Sequence, residues 1–198
     1  MAAARLFLID QGLITLGGHH AEYNFSIAQA AREQGLDPVL IVNQRYTPVE
    51  EADFPIFPIF TYAWHNLRRP QPVGTIDPSA SPAPFLFHSE LDAALRHFDA
   101  GPQDHVFIHS VGFLEAEELI QFFLNEPAEH LPFFHLLLRR DVDEVRGNPH
   151  AYQAFIRSIG RLRDLGVSPR GIAFYTDTDE LTASYTKETG VEFRTLPI

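Results

Sequence analysis

Two adjacent glycines near the start of the chain have the residue type and position of a phosphate-binding loop. Gly17 and Gly18 stand just ahead of His19 and a helical pattern. Residues without side chains let a ligand approach the backbone closely, and the first turn of a helix offers free N–H groups to an anion. A phosphate or diphosphate fits that description. A tight turn that needs positive φ is the alternative interpretation, and this feature alone does not separate the two.

Polar groups also follow three later apolar runs, and they complete the candidate site. Open α/β sheets bind ligands outside the carboxyl ends of their strands, so the residues that follow each run matter most. A histidine and an arginine come directly out of two runs, and a threonine–aspartate pair closes a third. These candidates are His109, Arg139, Thr176 and Asp177. They predict charged and hydrogen-bonding groups gathered along one edge of a sheet.

Missing motifs exclude several chemistries. The glycines do not form the Gly-x-Gly-x-x-Gly of nicotinamide-binding proteins, and Asn43 stands where those proteins place an acid for the ribose. The Gly-Lys-Ser/Thr ending of the phosphate loop is absent, as is the Gly-x-Ser-x-Gly elbow of serine hydrolases. The chain has no cysteine, which excludes disulfides, thiolate metal sites and cysteine nucleophiles.

The ten histidines of the chain raise the question of a metal site. His19, His20 and Glu22 are neighbours in the sequence, and the fold could bring His109 or His135 to them. The His-Glu-x-x-His motif of helix-borne zinc sites is absent, however, so the sequence predicts no metal. Because His135 lies inside an apolar run, we expect it to be a hydrogen-bonded histidine of the core or of the sheet face.

Composition and charge limit the partners of the chain. Its 198 residues are 45% hydrophobic and 21% charged, which is typical of a globular fold. With 26 acidic and 15 basic residues the net charge is −11, so nucleic-acid backbones and anionic lipids repel it. No apolar stretch reaches the roughly 20 residues of a membrane span, and the N-terminal apolar run is too short for a signal peptide. We therefore expect a cytoplasmic protein that binds no nucleic acid and has no membrane span, and the sequence leaves a homo-oligomer open.

The elements that must position these residues alternate between short apolar runs and longer helical patterns. Continuous apolar runs are typical of strands that are buried on both faces of a parallel sheet. One run, Phe54–Phe60, contains two prolines and is expected at an edge or outside the sheet. The predicted strands are Leu6–Ile9, Val39–Val42, Phe54–Phe60, Val106–Ile108, Phe133–Leu138, Ile172–Tyr175 and Glu192–Leu196.

Helical patterns fill the gaps between these runs. They predict helices over His20–Gln34, Ser89–Phe98 and Phe113–Leu124, one that opens at Asn148-Pro149 and ends at Gly166, and one that opens at Asp177 and stops at Gly190. The alternation predicts an α/β fold with a doubly wound, mostly parallel sheet of about six to seven strands and helices on both faces. We expect one domain over residues 1–198, with the proline-rich stretch Asn66–Pro84 as a surface loop.

The start of the chain resembles a known family. The matching features are a strand, a glycine loop, and a helix that ends in glycine, followed later by a strand that ends in histidine and a late strand that leads through threonine into a helix. In this sequence they are Leu6–Asp10, Gly17–His20, Tyr23–Ala28, Arg32–Gly35, His109 and Tyr175–Leu181. Together they resemble the N-terminal, acceptor-side domain of GT-B glycosyltransferases, in particular the family 4-like domain, in order along the whole chain.

The resemblance implies a chemistry and a set of site residues. In that family two facing Rossmann-like domains hold an acceptor mainly on the first and a nucleotide-sugar mainly on the second. Carried over, the glycine loop lies by the donor phosphates or the acceptor, and His109, the expected catalytic residue, borders the sugar. Arg139 steadies a phosphate or an acidic acceptor. The expected substrate- and phosphate-binding residues are Gly17, Gly18, His19, Arg139, Thr176 and Asp177.

The resemblance also implies what the chain needs from elsewhere. The donor-binding half of such an enzyme, with its nucleotide contacts, does not match any part of this sequence, so the expected partners are a C-terminal donor-binding domain and a glycan or small-molecule acceptor. The nucleotide-sugar is a co-substrate, and no resident cofactor is expected. On its own the domain is expected to be inactive. Two alternatives remain: a non-catalytic binding or assembly module with the same sheet, and a small-molecule enzyme of flavodoxin-like architecture.

Overall fold

The computed structural model describes residues 3–14, 19–47, 52–61, 86–126, 128–139, 149–165 and 171–196. These residues form a single sheet of seven strands in the order β3-β2-β1-β4-β5-β6-β7. Every neighbouring pair is parallel. The strands are β1 Arg5–Asp10, β2 Asp37–Asn43, β3 Ile56–Phe60, β4 His105–Ile108, β5 Phe133–Leu137, β6 Ile172–Thr176 and β7 Phe193–Thr195. The predicted parallel α/β sheet is therefore confirmed, strand by strand.

Helices cover both faces of the sheet, as predicted. They are α1 His19–Glu33, α2 Phe87–His97, α3 Phe113–Asn125, α4 Pro149–Leu165 and α5 Asp179–Thr189, with a short 3-10 turn at Ala128–His130. The small residues of α1, among them Ala21 and Ala28, are buried against Leu8 and Leu40 of the first two strands. The other four helices contribute their apolar residues to a larger core on the opposite face.

The proline-containing strand lies at an edge of the sheet. β3 pairs only with β2 among the described strands, and Pro58 stands opposite Val42. Proline has no N–H to donate to a neighbouring strand. At the edge of the sheet, this missing hydrogen bond costs least, because the strand has a neighbour on one side only. The strand begins at Ile56, two residues after the predicted start at Phe54. The predicted loop over Asn66–Pro84 lies outside the described residues.

Two helix starts differ from the predictions. We predicted that α2 begins at Ser89, but the helix begins at Phe87, and Ser89 Oγ donates to the carbonyl of Leu86. The earlier start lets Phe87, which is 1% exposed, reach the core. We also predicted that α5 opens at Asp177. The cap is Thr178, whose hydroxyl accepts from the backbone N–H of Leu181 at 3.2 Å, which leaves the Asp177 carboxylate to another partner.

The strand order identifies where a ligand would bind. From β1 the chain builds the sheet outward to β2 and β3 on one side, and to β4 and its successors on the other. This is the Rossmann-type order, which differs from the flavodoxin-like order of the alternative architecture. The crevice between the carboxyl ends of β1 and β4 is the topological switch point. No helix among the described residues is long and apolar enough to cross a membrane.

Candidate functional site

One carboxylate and two imidazoles meet at the switch point. His20 Nδ1 lies 3.2 Å from Asp10 Oδ2, and His109 Nε2 lies 3.4 Å from the same oxygen. The two histidine rings pack edge to face, with their centroids 4.7 Å apart. We call these three residues the Asp–His cluster.

Three different elements carry the cluster. Asp10 is the last residue of β1, His20 lies in the first turn of α1, and His109 follows the last residue of β4. β1 and β4 are neighbours and parallel, with Ile9 opposite Ile108, so their carboxyl ends bring Asp10 and His109 together. Because α1 packs on these strands, its first turn places the imidazole of His20 next to Asp10. Asp10 and His109 are 3% and 1% exposed, whereas His20 is only half-buried.

Hydrogen bonds hold the Asp10 carboxylate in a fixed orientation. Oδ1 accepts from the backbone N–H of Gly12 at 2.9 Å, and Oδ2 accepts from the side-chain amide of Asn24 at 2.7 Å. Burial raises the pKa of Asp10, but the hydrogen bond with His20, the charges of His109 and His20 and the bond from Asn24 outweigh it. The pKa of Asp10 therefore lies below its usual value of 3.8.

A buried polar layer supports the loop after β1. Gln11 Nε2 donates to Glu115 Oε1 at 2.5 Å, and the other carboxylate oxygen of Glu115 accepts from the backbone N–H of Gly112 at 3.0 Å. Asn43, at the end of β2, donates to the backbone carbonyl of Gln11 at 3.0 Å. These bonds tie the chain after Asp10 to β2 and to the start of α3.

Arg139 and Asp177 extend the site along the same edge. Arg139 Nε lies 3.2 Å from Asp177 Oδ2, and its guanidinium lies 5.3 Å from the centre of the Tyr23 ring. The Tyr23 ring is in turn 5.4 Å from the ring of His109. Burial raises the pKa of Tyr23 to about 12, with the charge of Asp177 adding to the shift and that of Arg139 opposing it. Tyr23 is therefore a neutral bridge between the Asp–His cluster and an ion pair.

The structure brings some of the predicted site residues together and not others. His109 and Arg139 both contact the ring of Tyr23, and Asp177 pairs with Arg139. Thr176 is fully buried, and its hydroxyl is hydrogen-bonded to the carbonyl of Thr178 and to Thr182 Oγ1 within the junction of β6 and α5. Gly17 and Gly18 lie outside the described residues, and of His19 the structure describes only its place as the first residue of α1.

A small cavity opens beside the cluster. Its volume is about 20 Å³, and its walls include Ile9, Phe87, Ile108 and Ser110 together with the three cluster residues. That is more than the roughly 10–15 Å³ that one water needs, and far less than a sugar occupies. A ligand the size of a sugar or nucleotide must therefore lie above the cavity, on the open side of the crevice.

Sequence reasoning missed three residues that define this site. Asp10, Asn24 and Tyr23 were not among the predicted functional residues, and His20 was considered only for a metal site that the sequence did not support. Two features of the sequence could have indicated these residues. Asp10 closes a buried strand, and His20 and Asn24 are four residues apart on a helix, which places both on one face.

Comparisons with known proteins add no family to this description. The chain matches no family model, and no curated protein matches it.

Proposed function

We propose that this domain is the acceptor-side half of a GT-B glycosyltransferase, which moves a sugar from a nucleotide-sugar to an acceptor with the help of a donor-binding domain. The observation that carries the proposal is the Asp–His cluster, a buried carboxylate with two imidazoles at the switch point of a Rossmann-like sheet. In the family that the sequence resembles, the acceptor-side domain presents a histidine at this place.

The start of α1 supports the role of the glycine loop in this proposal. Gly17 and Gly18 directly precede the helix in the sequence, and the helix begins at His19. The N–H groups and the partial positive charge of a helix N-terminus favour a diphosphate there. A diphosphate in this position would lie next to His20, on the open side of the cluster.

The fixed geometry of the cluster supports the role of His109. Its ring is held between the Asp10 carboxylate, the edge of His20 and the face of Tyr23. A polar group that is already oriented where charge or a hydrogen bond develops costs no reorganisation during the reaction. His109 at the border of the crevice would therefore orient the sugar.

Arg139 supplies a positive charge farther along the edge. It is about one quarter exposed, and Asp177 holds its guanidinium over the ring of Tyr23. A phosphate or acidic acceptor would compete with Asp177 for the guanidinium, because both anions use the same donors. In the proposal Asp177 keeps Arg139 in position until the ligand arrives.

Isothermal titration calorimetry of the chain tests this proposal. Nucleotide-sugars, nucleoside diphosphates and glycan acceptors are each titrated into the protein. We expect binding of a nucleotide-sugar or an acceptor, and a tenfold or greater loss of affinity in His109→Gln, which is the loss of about one ligand hydrogen bond. The matched control is His105→Gln, which changes a histidine at the opposite end of the same strand and should bind normally.

Two results would contradict the proposal. If none of these ligands releases or absorbs heat, the domain is the non-catalytic module of the alternative interpretation. If His105→Gln lowers the affinity as much as His109→Gln does, the ligand does not bind at the switch point.

A further inference from the structure

We propose that the Asp–His cluster binds one divalent transition-metal ion, with the chemistry of Zn²⁺, through Asp10, His20 and His109. The ion would have three protein ligands and an open position toward the small cavity. This inference goes beyond the proposed function, because it concerns the chain without any sugar or nucleotide.

The two separations from the Asp10 carboxylate match a coordination shell. One carboxylate oxygen of Asp10 and one ring nitrogen of each histidine all lie within 4.8 Å of one another. A tetrahedral ion with bonds of about 2.0–2.1 Å separates neighbouring ligand atoms by roughly 3.3–3.4 Å. The two separations from Asp10 Oδ2, 3.2 Å and 3.4 Å, agree with that edge. Both are longer than the roughly 2.7–2.9 Å of a charge-assisted hydrogen bond.

The donor set selects the kind of ion. Two imidazole nitrogens and one carboxylate oxygen suit Zn²⁺ and its transition-metal neighbours, whereas Ca²⁺ and Mg²⁺ prefer oxygen ligands alone. Three protein ligands rather than four are typical of sites that keep a position for water or a substrate atom. The cluster therefore predicts an open site rather than a structural one.

The surroundings of the ligands are those of a supported metal site. Asn24 donates to Asp10 Oδ2 and also to the backbone carbonyl of His20, so one amide orients the Asp10 ligand and joins it to the helix that carries His20. Gly12 fixes the other carboxylate oxygen of Asp10. Groups of this kind, one contact away from a metal, set the direction and basicity of its ligands.

The cavity has the size and the walls that such an ion needs. Its volume of about 20 Å³ has room for one water next to the three ligands, and apolar side chains of Ile9, Phe87 and Ile108 line it. His20 is one third exposed, which gives the ion a path from solvent.

Metal titration of the chelator-treated full chain tests the proposal. Calorimetry with Zn²⁺ measures affinity and stoichiometry, and the visible spectrum of Co²⁺, a common replacement for Zn²⁺, reports the coordination geometry. We expect one ion per chain and a Co²⁺ spectrum of low coordination number. Thermal unfolding followed by circular dichroism shows that each variant is folded, and added Zn²⁺ should raise the midpoint only where the site is intact.

Three variants dissect the site. Asp10→Asn keeps the size of the side chain and the oxygen that accepts from Gly12, and His20→Gln changes a half-exposed residue, so both are expected to fold. Each should lower Zn²⁺ affinity by at least 100-fold. Asn24→Ala removes an orienting group and should lower it by roughly 10-fold to 100-fold. The control is His105→Gln, because His105 and His135 form the other histidine pair in the described part of the chain and would be the competing site.

The outcomes separate this proposal from the proposed function. Zn²⁺ binding that is lost in Asp10→Asn and His20→Gln and kept in His105→Gln supports the metal site, whether or not the chain binds a nucleotide-sugar. The proposal is overturned if the wild-type chain binds no stoichiometric ion, if Asp10→Asn and His20→Gln bind it as tightly as wild type, or if His105→Gln abolishes binding.

Discussion

Strand β4 has a histidine at each end, and the two histidines have very different neighbours. His105 opens the strand, and its Nδ1 lies 3.1 Å from His135 Nε2, while His135 Nδ1 lies 3.1 Å from the hydroxyl of Tyr175. His109 follows the other end and faces the Asp10 carboxylate and the ring of His20. The first cluster, which we call the His–Tyr cluster, has no carboxylate in these contacts, and the second is built around one.

The carboxylate decides how each cluster is charged. Burial and the nearby charge of His105 lower the pKa of His135 from 6.5 to about 4, so His135 is neutral at neutral pH. In the Asp–His cluster two histidines and Asn24 more than offset the burial of Asp10, so the carboxylate stays ionised. A histidine therefore belongs to a neutral structural contact at one end of the strand. At the other end a histidine belongs to a group with an ionised carboxylate that can bind a ligand.

The largest predicted effect comes from removing the carboxylate. Asp10→Ala removes one of the two acceptors of the Asn24 amide and the acceptor of the Gly12 N–H, and it takes away the carboxylate that both histidines face. We expect the free energy of unfolding to fall by about 3 kcal/mol. Urea denaturation followed by circular dichroism measures it.

An exposed carboxylate provides the matched control. Asp92 pairs with Arg96 one helical turn away on the surface of α2, and Asp92→Ala should cost less than about 1 kcal/mol. Equal losses in Asp10→Ala and Asp92→Ala would show that the Asp–His cluster does not stabilise the fold through its carboxylate.

The second prediction concerns acid. The folded-state pKa of His135, about 4, is below its usual value of 6.5, so the unfolded chain takes up this proton first as the pH falls. The stability that neutral His135 contributes is complete above about pH 6.5 and is lost between about 6.5 and 4. Between pH 7 and 4.5 the wild-type chain should lose about 2 kcal/mol more than His135→Gln, as measured by urea denaturation at each pH.

Asp10 and His135 should titrate in separate windows of pH. The lowered pKa of Asp10 means that its contribution is present above 3.8 and is lost only as the pH falls further. If His135→Gln and the wild-type chain show the same loss between pH 7 and 4.5, His135 is not the group that titrates there, and the contrast between the clusters fails at this point.

The smallest predicted effect tests whether the His–Tyr cluster and the Asp–His cluster are energetically independent. Tyr175→Phe removes the hydroxyl that contacts His135 and should lower the free energy of unfolding by about 1 kcal/mol or less, with an unchanged dependence on urea concentration. Binding of Zn²⁺ at the Asp–His cluster should not change. A change in that binding would show that the clusters are energetically coupled rather than independent.

Local patterns predicted most of the fold, and they failed where two residues competed for one role. The five clear apolar runs predicted the five inner strands of the described sheet, because strands buried on both faces of a parallel sheet need continuous apolar sequence. At the start of α5 both Asp177 and Thr178 suit a helix cap. In the structure Thr178 caps the helix by accepting from the Leu181 N–H. The Asp177 carboxylate is therefore available to pair with Arg139.

The candidate site was predicted in part for a similar reason. His109 and Arg139 could be found, because each follows an apolar run and parallel strands place their carboxyl ends at one edge. His20 could not, because it acquires its role from the strands on which α1 packs. The spacing of His105 and His109 was equally uninformative. Four residues bring two side chains together on a helix but separate them by about 13 Å along a strand.

The sequence by itself determined a parallel α/β sheet, an acidic chain without thiol chemistry, and polar groups at the strand ends. These follow from composition and from periodicity, which are local properties. Only the tertiary structure decided that Asp10, His20 and His109 meet, because their contact requires β1, β4 and α1 to pack at one point. His20 and His109 are 89 positions apart in the sequence. They become neighbours only because the sheet order places β4 beside β1.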